Sequence, residues 1–170
     1  GIAEQVRQLS AQGLRVLLFA HRPQGGADVQ GEEGEPRLPQ DLIPWGVLSF
    51  SDELRPEARA TLEAFATAGI QLKIISGDNP HTVAALARQA GLGVGLGSDV
   101  AVVSGLELAE MDAERFQQVA AEATIFGRIT PRQKERLVQV LRQRGHYVAM
   151  IGDGVNDVLS LKQAHLGVAM

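Results

Sequence analysis

Over residues 46–170 short apolar runs alternate with stretches of helical periodicity, and only short connections separate them. That alternation admits few solutions. A strand feeding a helix packs back onto its own sheet one way, so successive strands lie parallel with helices on both faces. Strands are expected at 46–50, 70–75, 100–103, 124–126, 147–151 and 166–169. Helices are expected at 56–68, 80–90, 112–122, 131–144 and 156–163. The punctuation agrees with this. Asn79 and Thr130 stand where N-caps belong, Pro80 and Pro131 take first helical positions, and Gly91 and Gly145 follow helix ends. The expected fold class is α/β, with a doubly wound parallel sheet.

Upstream, Ile2, Val6 and Leu9 recur at helical spacing, Gly13 breaks the pattern, and residues 14–20 read as a strand. Residues 23–45 hold four of the seven prolines and the acidic group Glu32, Glu33 and Glu35, which marks a linker. The expected division is therefore 1–22, a 23–45 linker, and a main domain over 46–170. Composition narrows the function classes. Of 170 residues, 45% are hydrophobic and 21% charged, with net charge -4, so the chain can collapse into a sizeable core. The absence of cysteine excludes disulfides, thiolate metal sites and a cysteine nucleophile. A pI near 5.6 and a lone Trp45 argue against a nucleic-acid binder. No apolar run approaches the roughly 18–20 residues of a membrane span, and no leader-like segment is visible. His21, His81, His146 and His165 lack metal-ligand spacing. The first residue is Gly1 and the chain stops in the apolar Val168-Ala169-Met170, so a piece of a longer protein is expected.

Ligands of open α/β sheets sit beyond the carboxyl ends of the strands. After 147–151 comes Gly152-Asp153-Gly154-Val155-Asn156-Asp157, two carboxylates and an amide around a glycine turn. Asp153 and Asp157 can share a hard cation such as Mg²⁺, which takes oxygen ligands. The plainer reading is an Asp/Asn turn capping a helix, although like charges so crowded are costly without a cation. After 70–75 comes Ser76-Gly77-Asp78-Asn79-Pro80, either an anion cradle or an ordinary capping turn. Lys134, one turn into its helix, can neutralise a phosphate or belong to a solvated face with Arg132, Glu135 and Arg136. Asp52 and Arg55 can bind a ligand or cap the next helix. Arg15 reads as a ligand contact or as a snorkelling cation on its strand.

Together and in this order, these motifs resemble the P-type cation-transporting ATPases, a branch of the haloacid dehalogenase-like superfamily. The resemblance rests on Ile75-Ser76-Gly77-Asp78-Asn79, on Thr130-Pro131-Arg132-Gln133-Lys134, and on Met150-Ile151 with the Gly152–Asp157 block. The tail from Leu161 through Gly167-Val168-Ala169-Met170 is also similar. Asp52-Glu53-Leu54-Arg55 resembles the family's Asp-Pro-Pro-Arg hinge with both prolines replaced, and Gly13-Leu14-Arg15-Val16-Leu17 resembles the end of its nucleotide-binding domain. The resemblance implies a Rossmann-like phosphorylation domain over 46–170, joined by the linker to the tail of a nucleotide-binding domain over 1–22. It implies Asp153 as Mg²⁺ ligand with Asp157 in support, and Lys134, Ser76, Asn156 and Asp157 around the transferred phosphoryl group. Arg15, Asp52, Arg55, Gly77 and Asp78 would serve ATP or the hinge. It further implies a transported cation, and actuator and membrane domains elsewhere in a parent protein. The parent would be an integral membrane protein with this region on its cytoplasmic face, while the 170 residues alone would be soluble.

The family's nucleophile motif, Asp-Lys-Thr-Gly-Thr, occurs nowhere in the sequence. Asp78 to Thr82 has the formal spacing, but Pro80 starts a helix there and puts Thr82 inside it. The chain by itself is thus expected to form no phosphoenzyme. In the superfamily the nucleophile strand lies between the strands ending at Ser76 and at Asp153, so the resemblance also implies an empty central slot. Residues 16–20, apolar and close by in sequence, are a candidate to fill it. Two other readings stand beside the pump: a soluble phosphatase of the same superfamily lacking its first strand, and a non-catalytic interaction module. The hinge and the Arg15 segment speak against the phosphatase, and the ragged ends against the module.

Overall fold

Gly13, at φ 86°, turns the chain out of α1 (Ile2–Ala11) and into β1 (Arg15–His21). That left-handed conformation is open to glycine at no steric cost. The computed structural model describes residues 1–23, 41–51, 53–93 and 100–170, which divide into two units, Gly1–Asp52 and Glu53–Met170.

In the first unit β1 pairs antiparallel with β2 (Ile43–Phe50), from Arg15 opposite Phe50 to His21 opposite Ile43. The register slips between Phe19 and Ala20, where the partner strand carries Pro44. A proline has no N–H to give a ladder, so it sits at such irregularities or at strand starts. Two expectations are corrected here. The strand begins at Ile43, inside the stretch read as linker, and residues 46–50 join β1 rather than the parallel sheet. The remainder of that stretch, residues 24–40, lies outside the described residues.

The second unit runs α2 (Ala58–Thr67), β3 (Ile74–Ile75), α3 (Pro80–Gln89), β4 (Val102–Ser104), α4 (Gly105–Glu110), α5 (Ala113–Glu122), β5 (Ile125–Gly127) and α6 (Pro131–Gln143). It continues through β6 (Ala149–Gly152), a tight helical turn at Val155–Asp157, α7 (Val158–Gln163) and β7 (Leu166–Ala169). β3, β5 and β4 form a parallel sheet in that order, and β6 pairs in parallel with β7. Because strand side chains alternate, β5 feeds two cores. Ile125 packs with Val83, Ala84 and Ala87 of α3, and Phe126 packs with Phe116, Val119, Leu137 and Val140 of α5 and α6. All of these residues are buried, so β5 is the strand sandwiched between helical layers. This is the α/β, Rossmann-like arrangement expected.

Two details depart from the sequence reading. β3 is two residues long instead of six, because β5 is its only strand neighbour among the described residues. α4 was not expected; its signal is the capping box in which Ser104 N–H donates to Glu107 at 2.7 Å and Glu107 N–H donates to Ser104 Oγ at 3.2 Å.

β3 and β6 do not pair. Each keeps one edge without a strand among the described residues. A cavity of about 770 Å³ lies between them, with Leu72, Lys73 and Ile75 on one side and Val148, Met150 and Ile151 on the other. Residues 16–20 are taken up in the β1–β2 hairpin, so the idea that they fill the slot is corrected. Lys73 crosses to the end of α5, donating to the carbonyls of Ala121 and Ala123 at 2.8 and 2.6 Å, where a cation suits the helix C-terminus. Burial lowers the pKa of its ammonium to about 8.

Candidate functional site

The carboxyl end of β6 delivers Gly152 and Asp153, and the tight turn after it brings Asp157 back beneath the strand end. A Cβ at Gly152 would lie 2.6 Å from Asp157 Cβ, so only glycine allows that approach. Asp157 is nearly buried. Its Oδ1 accepts a hydrogen bond from Lys134 Nζ at 2.6 Å, with the two side chains 8% and 12% exposed. Its Oδ2 accepts from Gly154 N–H at 3.4 Å, and its carbonyl accepts from Ser160 Oγ at 2.8 Å. A carboxylate so far from water needs a partner, and Lys134 supplies the compensating charge. Of the two readings of Lys134, the solvated-face reading fails on this geometry. Asp153 and Asn156 remain exposed on the same loop.

Lys134 reaches Asp157 because α6 starts rigidly. Thr130 caps the helix by accepting from Gln133 N–H, and Gln133 answers by accepting from Thr130 N–H at 3.0 Å. Gln133 Nε2 also donates to Gly105 O at 2.7 Å, tying α6 to the start of α4. At the other end Arg142 donates to the carbonyl of Gln163, holding α6 to α7.

The loop after β3 joins the same edge. Ser76 N–H donates to Phe126 O, Ser76 O accepts from Ile129 N–H at 3.0 Å, and Asp78 O accepts from Arg128 N–H at 2.7 Å. Ser76 Oγ accepts from Asp78 N–H at 3.1 Å, and Asn79 caps α3 by accepting from His81 N–H at 2.9 Å. The capping reading of this loop is therefore real, and it also holds the Ser76 hydroxyl beside the segment that starts α6. Nothing lies within 4 Å of a Cβ built on Gly77. A Cβ at Gly127 would meet Pro80 at 2.4 Å, which fixes how closely α3 approaches β5. Thr82 is buried within α3, as expected from Pro80.

Arg55 lines a second cavity of about 700 Å³ together with Ser76 and Asp78. Arg15 is exposed on β1 of the first unit. Asp52 lies outside the described residues. Sequence reasoning missed two residues of this edge. Gln133 was legible through its Thr130-x-x-Gln133 spacing. Arg128, a non-glycine residue at φ 51°, was not, since nothing in residue type announces a left-handed arginine.

Among the described residues no cluster of three or more His, Cys, Asp or Glu could enclose a metal. The turn carries two carboxylates, Asp153 and Asp157, and Mg²⁺ takes one or two carboxylates and completes its shell with water and phosphate oxygens.

Comparisons with known proteins give the family. A family model described as haloacid dehalogenase-like hydrolase matches residues 3–165. The chain is 38% identical over 99% of its length to "Cation-transporting ATPase pma1" of Synechocystis, covering 18% of that protein. It is 39% identical over 99% of its length to "Probable cation-transporting ATPase F" of Mycobacterium tuberculosis, covering 19% of it. It is likewise 39% identical over 99% of its length to "Calcium-transporting ATPase CtpE" of Mycolicibacterium smegmatis, covering 20% of it. The chain thus spans about a fifth of these relatives. The motifs and the relatives agree, and the match takes in both the Ser76 loop and the Asp153–Asp157 turn: the chain belongs to the haloacid dehalogenase-like hydrolases.

Proposed function

We propose that these residues are the phosphorylation-domain part of an ATP-driven P-type cation pump. The buried Lys134–Asp157 bond at the carboxyl edge of the sheet supports the reading best, because it fixes a lysine ammonium at the turn that carries Asp153 and Asn156. The relatives' names add the class of protein. Asp153, with Asp157, would hold Mg²⁺, which when bound supplies positive charge to phosphoryl oxygens. Lys134 holds the Asp157 side chain in place through the 2.6 Å contact and presents its own charge at the same edge. The Ser76 hydroxyl and the Asn156 amide would donate to phosphoryl oxygens. Gly77 lets the chain approach a phosphate without a side chain in the way. Asp78, Arg55 and Asp52 orient the nucleotide or the hinge, and Arg15 serves the nucleotide from the preceding domain. Phosphoryl transfer depends mainly on such positioning and charge.

The attacking carboxylate is not among these residues, since Asp-Lys-Thr-Gly-Thr does not occur in them. In this reading it comes from elsewhere in the parent, as do the actuator and membrane domains and the ligands of the transported cation. Among the described residues no helix is long and apolar enough to cross a membrane. In this reading the parent would sit in a membrane with this region on the cytoplasmic side.

The test compares the 170 residues with the full parent chain, each incubated with labelled Mg²⁺–ATP. The parent is expected to form an acid-stable, hydroxylamine-sensitive phosphoenzyme, and the 170 residues none. Reproducible labelling of an Asp in the shorter chain would overturn the division of labour. A parent that releases phosphate without any phosphoenzyme would overturn the pump. Mg²⁺ itself is expected to bind the shorter chain weakly, and submicromolar affinity by calorimetry would contradict the two-carboxylate assignment.

A further inference from the structure

The amide of Gln133 does more than a helix cap asks of it. A capping box needs only an acceptor at the third helical position, and a carboxylate suits that place beside a helix N-terminus. α4 is built so, with Glu107 accepting from Ser104 N–H at 2.7 Å. α6 carries Gln133 there instead. Its Oε1 accepts from Thr130 N–H at 3.0 Å and from Thr130 Oγ1 at 3.1 Å, which completes the cap. Its Nε2 donates to Gly105 O at 2.7 Å, 28 residues away in sequence. A carboxylate has no donor to offer that carbonyl and would repel it.

The surroundings are shaped for this contact. A Cβ at Gly105 would run into the Arg128 carbonyl and lie 2.8 Å from Gln133 Oε1, so only glycine brings the backbone of α4 this close. Arg128 meets it from a left-handed conformation, φ 51°, which costs energy in any residue with a side chain. α4 is a firm anchor, since its Leu108 is buried in the core that holds Phe116 and Leu137. The residue after Gln133 is Lys134, whose Nζ lies 2.6 Å from Asp157 Oδ1. Helix ends fray unless something holds them, and a long lysine stem has much rotamer freedom to lose.

We infer that Gln133 is a positioning residue: by donating to Gly105 O it locks the first turn of α6 onto α4, and so sets where Lys134 holds its ammonium against Asp157. Glycine at 105, the left-handed Arg128 and an amide in place of a carboxylate all serve that one contact. Its consequence for phosphoryl transfer rests on the pump reading; the tether does not.

Gln133→Glu tests this, because it keeps an acceptor for Thr130 N–H and removes the donor to Gly105 O. Gln133→Met removes the donor without adding a charge, and Thr130→Ala weakens the cap while leaving the Gln133 Nε2 donor in place. The 170-residue chain has three lysines, Lys73, Lys134 and Lys162, so NMR of the side-chain ammonium groups resolves each. Exchange of the Lys134 ammonium with water is expected to quicken about tenfold in both Gln133 variants, the worth of one hydrogen bond. Lys73 and Lys162 are expected to stay as they are. Thr130→Ala is expected to lower stability to urea yet leave Lys134 exchange near that of wild type. Unchanged Lys134 exchange in the Gln133 variants, or an equal effect of Thr130→Ala, would overturn the inference. In the full parent chain, both Gln133 variants are expected to lower kcat for phosphoenzyme formation about tenfold with KM for ATP unchanged. Quickened Lys134 exchange with normal phosphoenzyme formation leaves the tether standing and tells against Lys134 at the phosphoryl group. Slowed formation with Lys134 exchange unchanged tells against the tether and leaves the pump reading standing.

Discussion

Lys134 and Asp157 form a coupled pair whose separation is costly from either side. Lys134→Met leaves a carboxylate 8% exposed with, among the described residues, the Gly154 N–H as its donor. A loss of about 3 kcal/mol in unfolding free energy is expected. Asp157→Asn should cost less, since the amide oxygen can still accept from Lys134 and the long lysine stem can carry its ammonium toward water, and the double variant should cost less than the sum of the two. Urea unfolding of the four proteins checks this, and strict additivity would mean the 2.6 Å contact carries no coupling. In the parent, Lys134→Met is expected to slow phosphoenzyme formation by about 10²–10³-fold. Gly152→Ala tests the packing beneath the pair. Its new methyl would lie 2.6 Å from Asp157 Cβ, so a loss of about 1–3 kcal/mol is expected, together with displacement of Asp157. An unchanged stability, with the Lys134 and Asp157 resonances in place, would show that the turn has room to give. The motif glycine was visible in the sequence; the atom it makes way for was not, because that contact depends on the turn closing back under the strand.

At the scale of elements, helix starts were the most legible feature. Asn79-Pro80 and Thr130-Pro131 each cap where expected, because capping is local chemistry within a few residues. The capping box at α4 carries a pH signature. The Ser104 N–H holds the Glu107 carboxyl below its ordinary value of 4.5. A carboxylate with a depressed folded pKa stabilises above the unfolded value and loses that contribution as pH falls through the folded one. Wild type should exceed Glu107→Ala by about 0.5–1 kcal/mol at neutral pH. The gap should narrow as pH drops below 4.5. A gap constant down to pH 3 would sink the account. Strand lengths were the least legible. Residues 70–75 read as one strand from their apolar run, yet two of them pair. A strand is defined by its neighbours, and among the described residues β3 has β5 alone.

For the whole molecule, burial is uneven. The second unit contains the two cores around β5, whereas the first unit leaves Leu17, Leu18, Phe19, Trp45, Leu48 and Phe50 exposed. A two-stranded ribbon with bare faces is marginal by itself. Native-state exchange is therefore expected to be fast at residues 17–19 and slowest at Phe126 and Leu137, by a factor of about 10³ or more. Equal protection in both units would mean that β1 and β2 are stabilised by something their exposure does not reveal.

The sequence by itself determined the α/β class, the helix starts at Asn79 and Thr130, and which polar residues follow which strand, because periodicity and capping act over one or two turns. Tertiary structure decided what those motifs do to one another. It paired residues 46–50 with β1, brought Lys134 onto Asp157 across 23 positions of sequence, and left β3 and β6 facing an open slot. Each of these depends on which distant backbone is present to be bonded, and no local pattern records that.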